Sequence, residues 1–164
     1  MNKVLVLGLG NLILGDDGLG IHLVRLLKEK GGFPENISFM ESEEIGLSIL
    51  DMAAGYDTLI LIDSIQSEDS LAQGTILEVN ENQYDDLSGW GSHYIGFYEM
   101  KKLAHRSEIP FPSVLHILGV AIDDPYRIDF ELSQGIKNLL PYIHMELELK
   151  ILELTFEIEA FNLT

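Results

Sequence analysis

The sequence contains no cysteine, a single tryptophan, and only 10 lysine and arginine residues against 27 aspartate and glutamate, a net charge of −17 over 164 residues. Without cysteine there is no disulfide, no thiolate metal site and no thiol nucleophile, and no redox compartment can be read. The shortage of cations leaves no basic patch to meet a phosphate backbone, and the acidic field repels one, so no nucleic-acid partner is expected. No apolar stretch approaches the roughly 20 residues of a membrane span. The first apolar run, at 4–7, stops at Gly8 and is too short for the core of a secretion signal. No membrane association is therefore expected, and the cytoplasm is the default location.

Hydrophobic residues make up 46% of the chain, which is incompatible with disorder. The length suits one domain over 1–164, with a radius of roughly 15 Å and residues 150–164 as a tail of unassigned role. The continuous run Val4-Leu5-Val6-Leu7 reads as a strand buried on both faces, followed by a glycine-rich turn. Leu19, Ile21, Leu23, Val24, Leu26 and Leu27 recur at helical spacing until Gly31-Gly32 stops them. Strands follow at 37–40, 59–62, 75–79 and 114–122, with helices at 45–52 and 94–105 and a polar loop at 81–92. Leu132, Ile136, Leu139, Leu140 and Ile143 form a last helical stripe, capped by Ser133 and interrupted by Pro141, where a kink is expected. Beyond it, Glu146-Leu147-Glu148-Leu149 alternates like a strand while Leu147, Ile151 and Leu154 fit a helix, and the pattern does not decide. This alternation predicts an α/β three-layer sandwich: a mostly parallel twisted sheet of about five strands flanked by helices, phosphorylase/hydrolase-like.

Such sheets bind ligands outside the carboxyl ends of their strands. After the first strand come Asp16 and Asp17, within a loop of four glycines from Gly8 to Gly18; after the third comes Asp63; in the loop after the fourth comes His93. Two carboxylates and an imidazole drawn from these positions suit a divalent ion such as nickel or zinc. The adjacent acids also suit a helix N-terminus on purely structural grounds. Asn11 is read as a turn former, His116 as a buried hydrogen-bonded imidazole, Glu41 and Glu44 as rims of the cleft, and Gly46 as permitting close backbone approach.

A nucleotide reading fails on spacing. The G-x-G-x-x-G fingerprint needs a small residue where Ile13 stands, and the paired acids face phosphates with the wrong sign; Glu41 alone favours a ribose. There is no G-x-x-x-x-G-K-[ST] loop, no G-x-S-x-G elbow and no H-E-x-x-H helix.

The run Leu7-Gly8-Leu9-Gly10-Asn11-Leu12-Ile13-Leu14-Gly15-Asp16-Asp17-Gly18-Leu19-Gly20 resembles the opening motif of the hydrogenase maturation endopeptidases. The likeness continues through Glu44-Ile45-Gly46-Leu47, the strand ending in Asp63, His93-Tyr94-Ile95-Gly96 and Leu118-Gly119-Val120, as far as about His144. The resemblance implies an endopeptidase, aspartic-type by family label, that removes a C-terminal extension from the large-subunit precursor of a nickel-iron hydrogenase. It also implies that nickel, carried by that substrate, meets Asp17, Asp63 and His93, which would be both the metal-contacting and the catalytic set. The matching position for Asp17 can be Glu, so reach differs while ligand type is kept. Asp16 is then the structural member, capping the turn with its own side chain. Alternatives are a non-catalytic nickel-binding chaperone using the same three side chains, a peptidyl-tRNA hydrolase-like protein suggested by Leu7-Gly8-Leu9-Gly10-Asn11, and a dinucleotide-binding protein.

Overall fold

The computed structural model describes residues 2–44, 46–67, 71–79 and 92–161. Five strands make one sheet in the order β2-β1-β3-β5-β4: β1 Val4–Leu9, β2 Ile37–Ser42, β3 Thr58–Gln66, β4 Ile76–Val79 and β5 Val114–Ile122. The first three and β5 run parallel, and the edge strand β4 runs antiparallel to β5. Helices α1 Leu19–Lys30 and α4 Gln134–Phe161 cover one face, while α2 Ser48–Ala53 and α3 Ser92–Arg106 cover the other. The expected three-layer architecture is thus the observed one. No described helix is long and apolar enough to cross a membrane.

Period-two alternation divides the strand residues between two cores. Leu5, Leu7 and Leu9 of β1 and Leu59, Leu61 and Ile65 of β3 pack toward α2 and α3. Val4, Val6, Ile60 and Ile62 pack toward α1 and α4. Both faces being covered explains why these strands read as unbroken apolar runs.

Two elements run further than the sequence pattern indicates. The third strand does not end at Asp63 but continues to Gln66, because Asp63 to Gln66 pair with Gly119 to Ile122 of β5 after the pairing with β1 has stopped at Gly8↔Ile62. Polar Asp63 and Ser64 mimic a strand end, yet the backbone ladder runs through them. The tail is helical: α4 passes through Pro141 and reaches Phe161, because Ile143, Leu147, Ile151 and Leu154 form one stripe buried on the sheet. Ser133 caps it as expected, its Oγ accepting the Ile136 N–H at 3.3 Å.

The strand order reverses between β1 and β3, since β1 leads outward to β2 and β3 leads the other way to β5. The start of α1 sits in that gap. A Cβ on Gly20 would lie 2.2 Å from the Leu9 carbonyl oxygen and 2.3 Å from that of Ile62, and one on Gly8 would lie 2.4 Å from the Gly20 oxygen. All of these obstacles are backbone, which cannot move aside. Gly20→Ala is therefore expected to lower unfolding free energy by about 3 kcal/mol, measured as a shift in denaturant midpoint.

At the far edge, His116 of β5 shares Glu78 of β4 with Lys150 of α4, at 3.0 Å and 2.9 Å. His116 is hydrogen-bonded through Nδ1 as expected, but its buried Nε2 has no partner among the described residues. Burial pushes the Glu78 carboxyl up, and the bonds from Lys150 and His116 outweigh it, leaving the group below the usual carboxylate range. A depressed carboxylate stabilises fully above its unfolded pKa and loses that contribution as pH falls through its folded value. Glu78→Gln should thus cost about 1 kcal/mol near neutrality, a modest figure for a partly exposed pair. The gap to wild type should close below about pH 4 in chemical-denaturation series.

Candidate active site at the carboxyl edge of the sheet

The chain leaves β1 through an Asx turn, in which Asn11 Oδ1 accepts the Ile13 N–H at 3.1 Å, and enters a 3-10 turn at Gly15–Gly18. Asn11 is the turn former it was expected to be. Successive residues of a 3-10 turn point about 120° apart, and the adjacent aspartates accordingly have different surroundings. Asp16 is 3% exposed. Its carboxylate accepts the Ser133 N–H at 2.6 Å and lies 3.8 Å from the Arg127 guanidinium. It makes no capping bond to its own turn, so its structural role is other than expected: it fastens the first loop to the start of α4.

Asp17 is half-buried and turns toward β3, where its Oδ1 accepts a hydrogen bond from Ser64 Oγ at 3.3 Å. The same serine's backbone N–H donates to Asp63 Oδ1 at 2.8 Å. One residue therefore bonds both carboxylates, its hydroxyl reaching Asp17 and its backbone N–H Asp63, and both acids lie at the β1–β3 gap. Asp63 is 4% exposed. Alternation with Leu61 and Ile65 puts its side chain on the α2/α3 side of the sheet, while Ser64 falls on the α1 side. Opposite Asp63 on β5 is Gly119, which has no side chain to compete for the space.

His93 belongs to the first turn of α3, which begins at Ser92, two residues earlier than the spacing predicted; nothing in Ser92 or His93 opposes helical backbone. Its side chain lies outside the described residues, as do most residues of the polar loop at 81–92. Among the described residues, no three His, Asp or Glu side chains are grouped to hold a metal ion.

Of the expected rim, Glu41 is gripped by Arg25 at 2.6 Å and 2.7 Å, and this hydrogen-bonded pair holds its carboxyl below the usual range. Glu44 is exposed. Glu43, which was not singled out, accepts the Leu12 N–H at 3.4 Å. A Cβ on Gly46 would meet nothing within 4 Å, so close backbone approach does not explain that glycine. Sequence reasoning also missed Ser64 and Arg127, and it read Ser133 as a cap without its bond to Asp16. For Ser64 the one available signal was a short hydroxyl residue directly after the strand acid. Asp16→Ala, which orphans the half-buried Ser133 N–H and loosens Arg127, should cost about 1–3 kcal/mol, read as a drop in unfolding free energy.

A largely parallel three-layer domain with two carboxylates at its topological switch point defines an open-sheet α/β protein. The same fold is found in the hydrogenase maturating endopeptidase HybD from E. coli, at a TM-score of 0.75 and 22% identity, covering 92% of this chain and 93% of that one. No family model matches the chain. It is 28% identical over 150 residues to hydrogenase expression/formation protein HoxM of Azotobacter vinelandii, spanning 89% of this chain and 71% of the relative. Over 120 residues it is 28% identical to the hydrogenase 2 maturation protease of Escherichia coli strain K12, spanning 72% of each. The chain's similarities are thus to hydrogenase maturation and hydrogenase expression/formation proteins, over most of its length.

Proposed function

We propose that this chain is an endopeptidase that removes the C-terminal extension of a nickel-iron hydrogenase large-subunit precursor, and that nickel held by the precursor is contacted by Asp17, Asp63 and His93. The observation that carries the reading is the single serine bridging two carboxylates, at 2.8 Å and 3.3 Å, at the ligand-binding edge. Two carboxylates held by one residue at the sheet edge favour a cation, which offsets their repulsion and the cost of burying Asp63. His93 fits as third ligand because Asp63 faces the layer of α3, the helix whose first turn carries it. Imidazole nitrogen and carboxylate oxygen together suit nickel or zinc.

Three protein groups leave a divalent ion's coordination unfinished, so the precursor's own ligands complete it. Cleavage then follows docking of a metal-loaded substrate and not of an empty one. Two chemistries serve the hydrolysis: the ion polarises the scissile carbonyl, or a carboxylate takes a proton from the attacking water. In both, water adds across the peptide bond and the extension leaves as a free peptide with a new N-terminal amine. The aspartic-type label is kept only as a family description. The setting in which this happens is the cytoplasm.

Incubated with nickel-loaded and nickel-free precursor, the wild type should release a C-terminal peptide, detected by mass spectrometry, from the loaded form alone. Asp17→Ala, Asp63→Asn and His93→Ala should each slow release by about 100-fold or more. Wild-type rates in Asp63→Asn or His93→Ala would sink the assignment, and tight nickel binding by the free protein without cleavage would favour the chaperone reading.

A further inference from the structure

Between β5 and α4 the chain makes a segment at 126–130 in which exposed and half-buried residues alternate. Arg127 and Asp129 turn inward: Arg127 lies 3.8 Å from Asp16 and bonds the Glu131 carbonyl at 2.8 Å, and it is paired with Asp129. The residues between and before them turn outward and are large and apolar. Ile128 is 85% exposed, Phe130 77% and Tyr126 75%, the three most exposed large hydrophobic side chains among the described residues. In a chain of net charge −17, three such side chains within five residues are not a random scatter.

The segment is physically joined to the site. Leu14 and Asp129 form a parallel bridge, in which the Gly15 N–H donates to the Asp129 carbonyl at 2.7 Å and the Asp129 N–H to the Ile13 carbonyl at 3.1 Å. Asp17 follows Leu14 by three residues, one 3-10 turn away. Ile13, itself half exposed, sits in the paired loop. The outward apolar face is therefore held in fixed register with the carboxylates by Asp16, Arg127 and the bridge.

We propose that Tyr126, Ile128 and Phe130, with Ile13, seat an apolar segment of the precursor polypeptide and so hold the substrate beside Asp17 and Asp63. This rests on the proposed function and names the surface by which that substrate is gripped. The occupant is a partner and not a second copy of this chain, for two reasons. The three side chains offer on the order of 400–500 Å², well short of the roughly 800 Å² per partner that a stable dimer buries. Two copies would also bring like charges of −17 together. A small apolar anchor suffices when the metal contact supplies a second point of attachment, since the two act on one already tethered substrate.

The test compares wild type with the triple variant Tyr126→Ser, Ile128→Ser, Phe130→Ser on nickel-loaded precursor. The variant's kcat/KM should fall tenfold or more through KM, with kcat within twofold, and its unfolding midpoint should match wild type. Placed on an Asp63→Asn background that does not cleave, the same changes should weaken precursor binding by a similar factor in a direct titration. If the triple variant folds poorly, Ile128→Ser alone, at the most exposed position, should give a smaller shift of the same kind. Unchanged KM and unchanged precursor binding would overturn the proposal while leaving the protease reading intact, provided wild type cleaves. A concentration-dependent dimer of the wild type in sedimentation, lost in the triple variant, would also overturn it, assigning the face to self-association. Failure of wild-type cleavage with the stripe still needed for precursor binding would count against the protease reading and for the docking surface.

Discussion

The contact on which the site depends is between backbones: the first turn of α1 pressed against the carbonyl ends of β1 and β3. Gly20 lies where any Cβ would fall 2.2 Å and 2.3 Å from the oxygens of Leu9 and Ile62, and Gly10 lies where one would fall 2.3 Å from the Asp17 carbonyl. This approach closes the gap at the switch point to a width that a single side chain can span. Ser64 spans it. Were α1 displaced outward to admit side chains at these glycines, the 3-10 turn would move with it, and Ser64 Oγ, already 3.3 Å from Asp17, would lose the bond. The glycine pattern of the first loop thus sets the distance between Asp17 and Ser64.

Adjacent aspartates with opposite fates illustrate how a tight turn divides labour. Asp16 is buried and spends its charge on a backbone N–H and a guanidinium from the 127–133 region. Asp17, rotated by one position, reaches the cleft. The inward acid also explains why the turn can be trusted to present the outward one: its partner Ser133 is the N-cap of α4, so the longest helix in the described residues anchors the loop from outside. A substitution at Asp16 would therefore disturb Asp17 without touching the chemistry directly.

Much of this was legible in the sequence where the signal is local. Apolar runs ending in glycine or an acid marked β1 and β3, and covered faces made those runs continuous. Asn11 announced its turn, and Ser133 its cap. What escaped has a common cause. The Asp16–Ser133 bond joins residues 117 positions apart, and the Arg25–Glu41 pair joins neighbours only in space. No periodicity records such ties. The extension of β3 was hidden because Asp63 and Ser64 look like loop residues, although the ladder continues beneath them. The tail was undecidable from alternation alone, and it was settled by a stripe that only the sheet's far face could bury.

Electrostatics tie the acidic surface to the acidic site. A net charge of −17 costs stability through self-repulsion, and two further carboxylates withdrawn from solvent at the sheet edge add to it. Neither expense benefits a fold for its own sake. Both help if the ligand is a cation that must be found, held briefly and released: the surrounding field raises the cation's local concentration, and a set too small to complete its coordination lets it go. On the proposed function that release is required, since the nickel has to stay with the hydrogenase after the extension is cut away. A resident metal would call for a closed ligand cage; a metal that is inspected and returned calls for an open one, with carboxylates already aligned by Ser64 so that little ordering is left to be done when the precursor arrives.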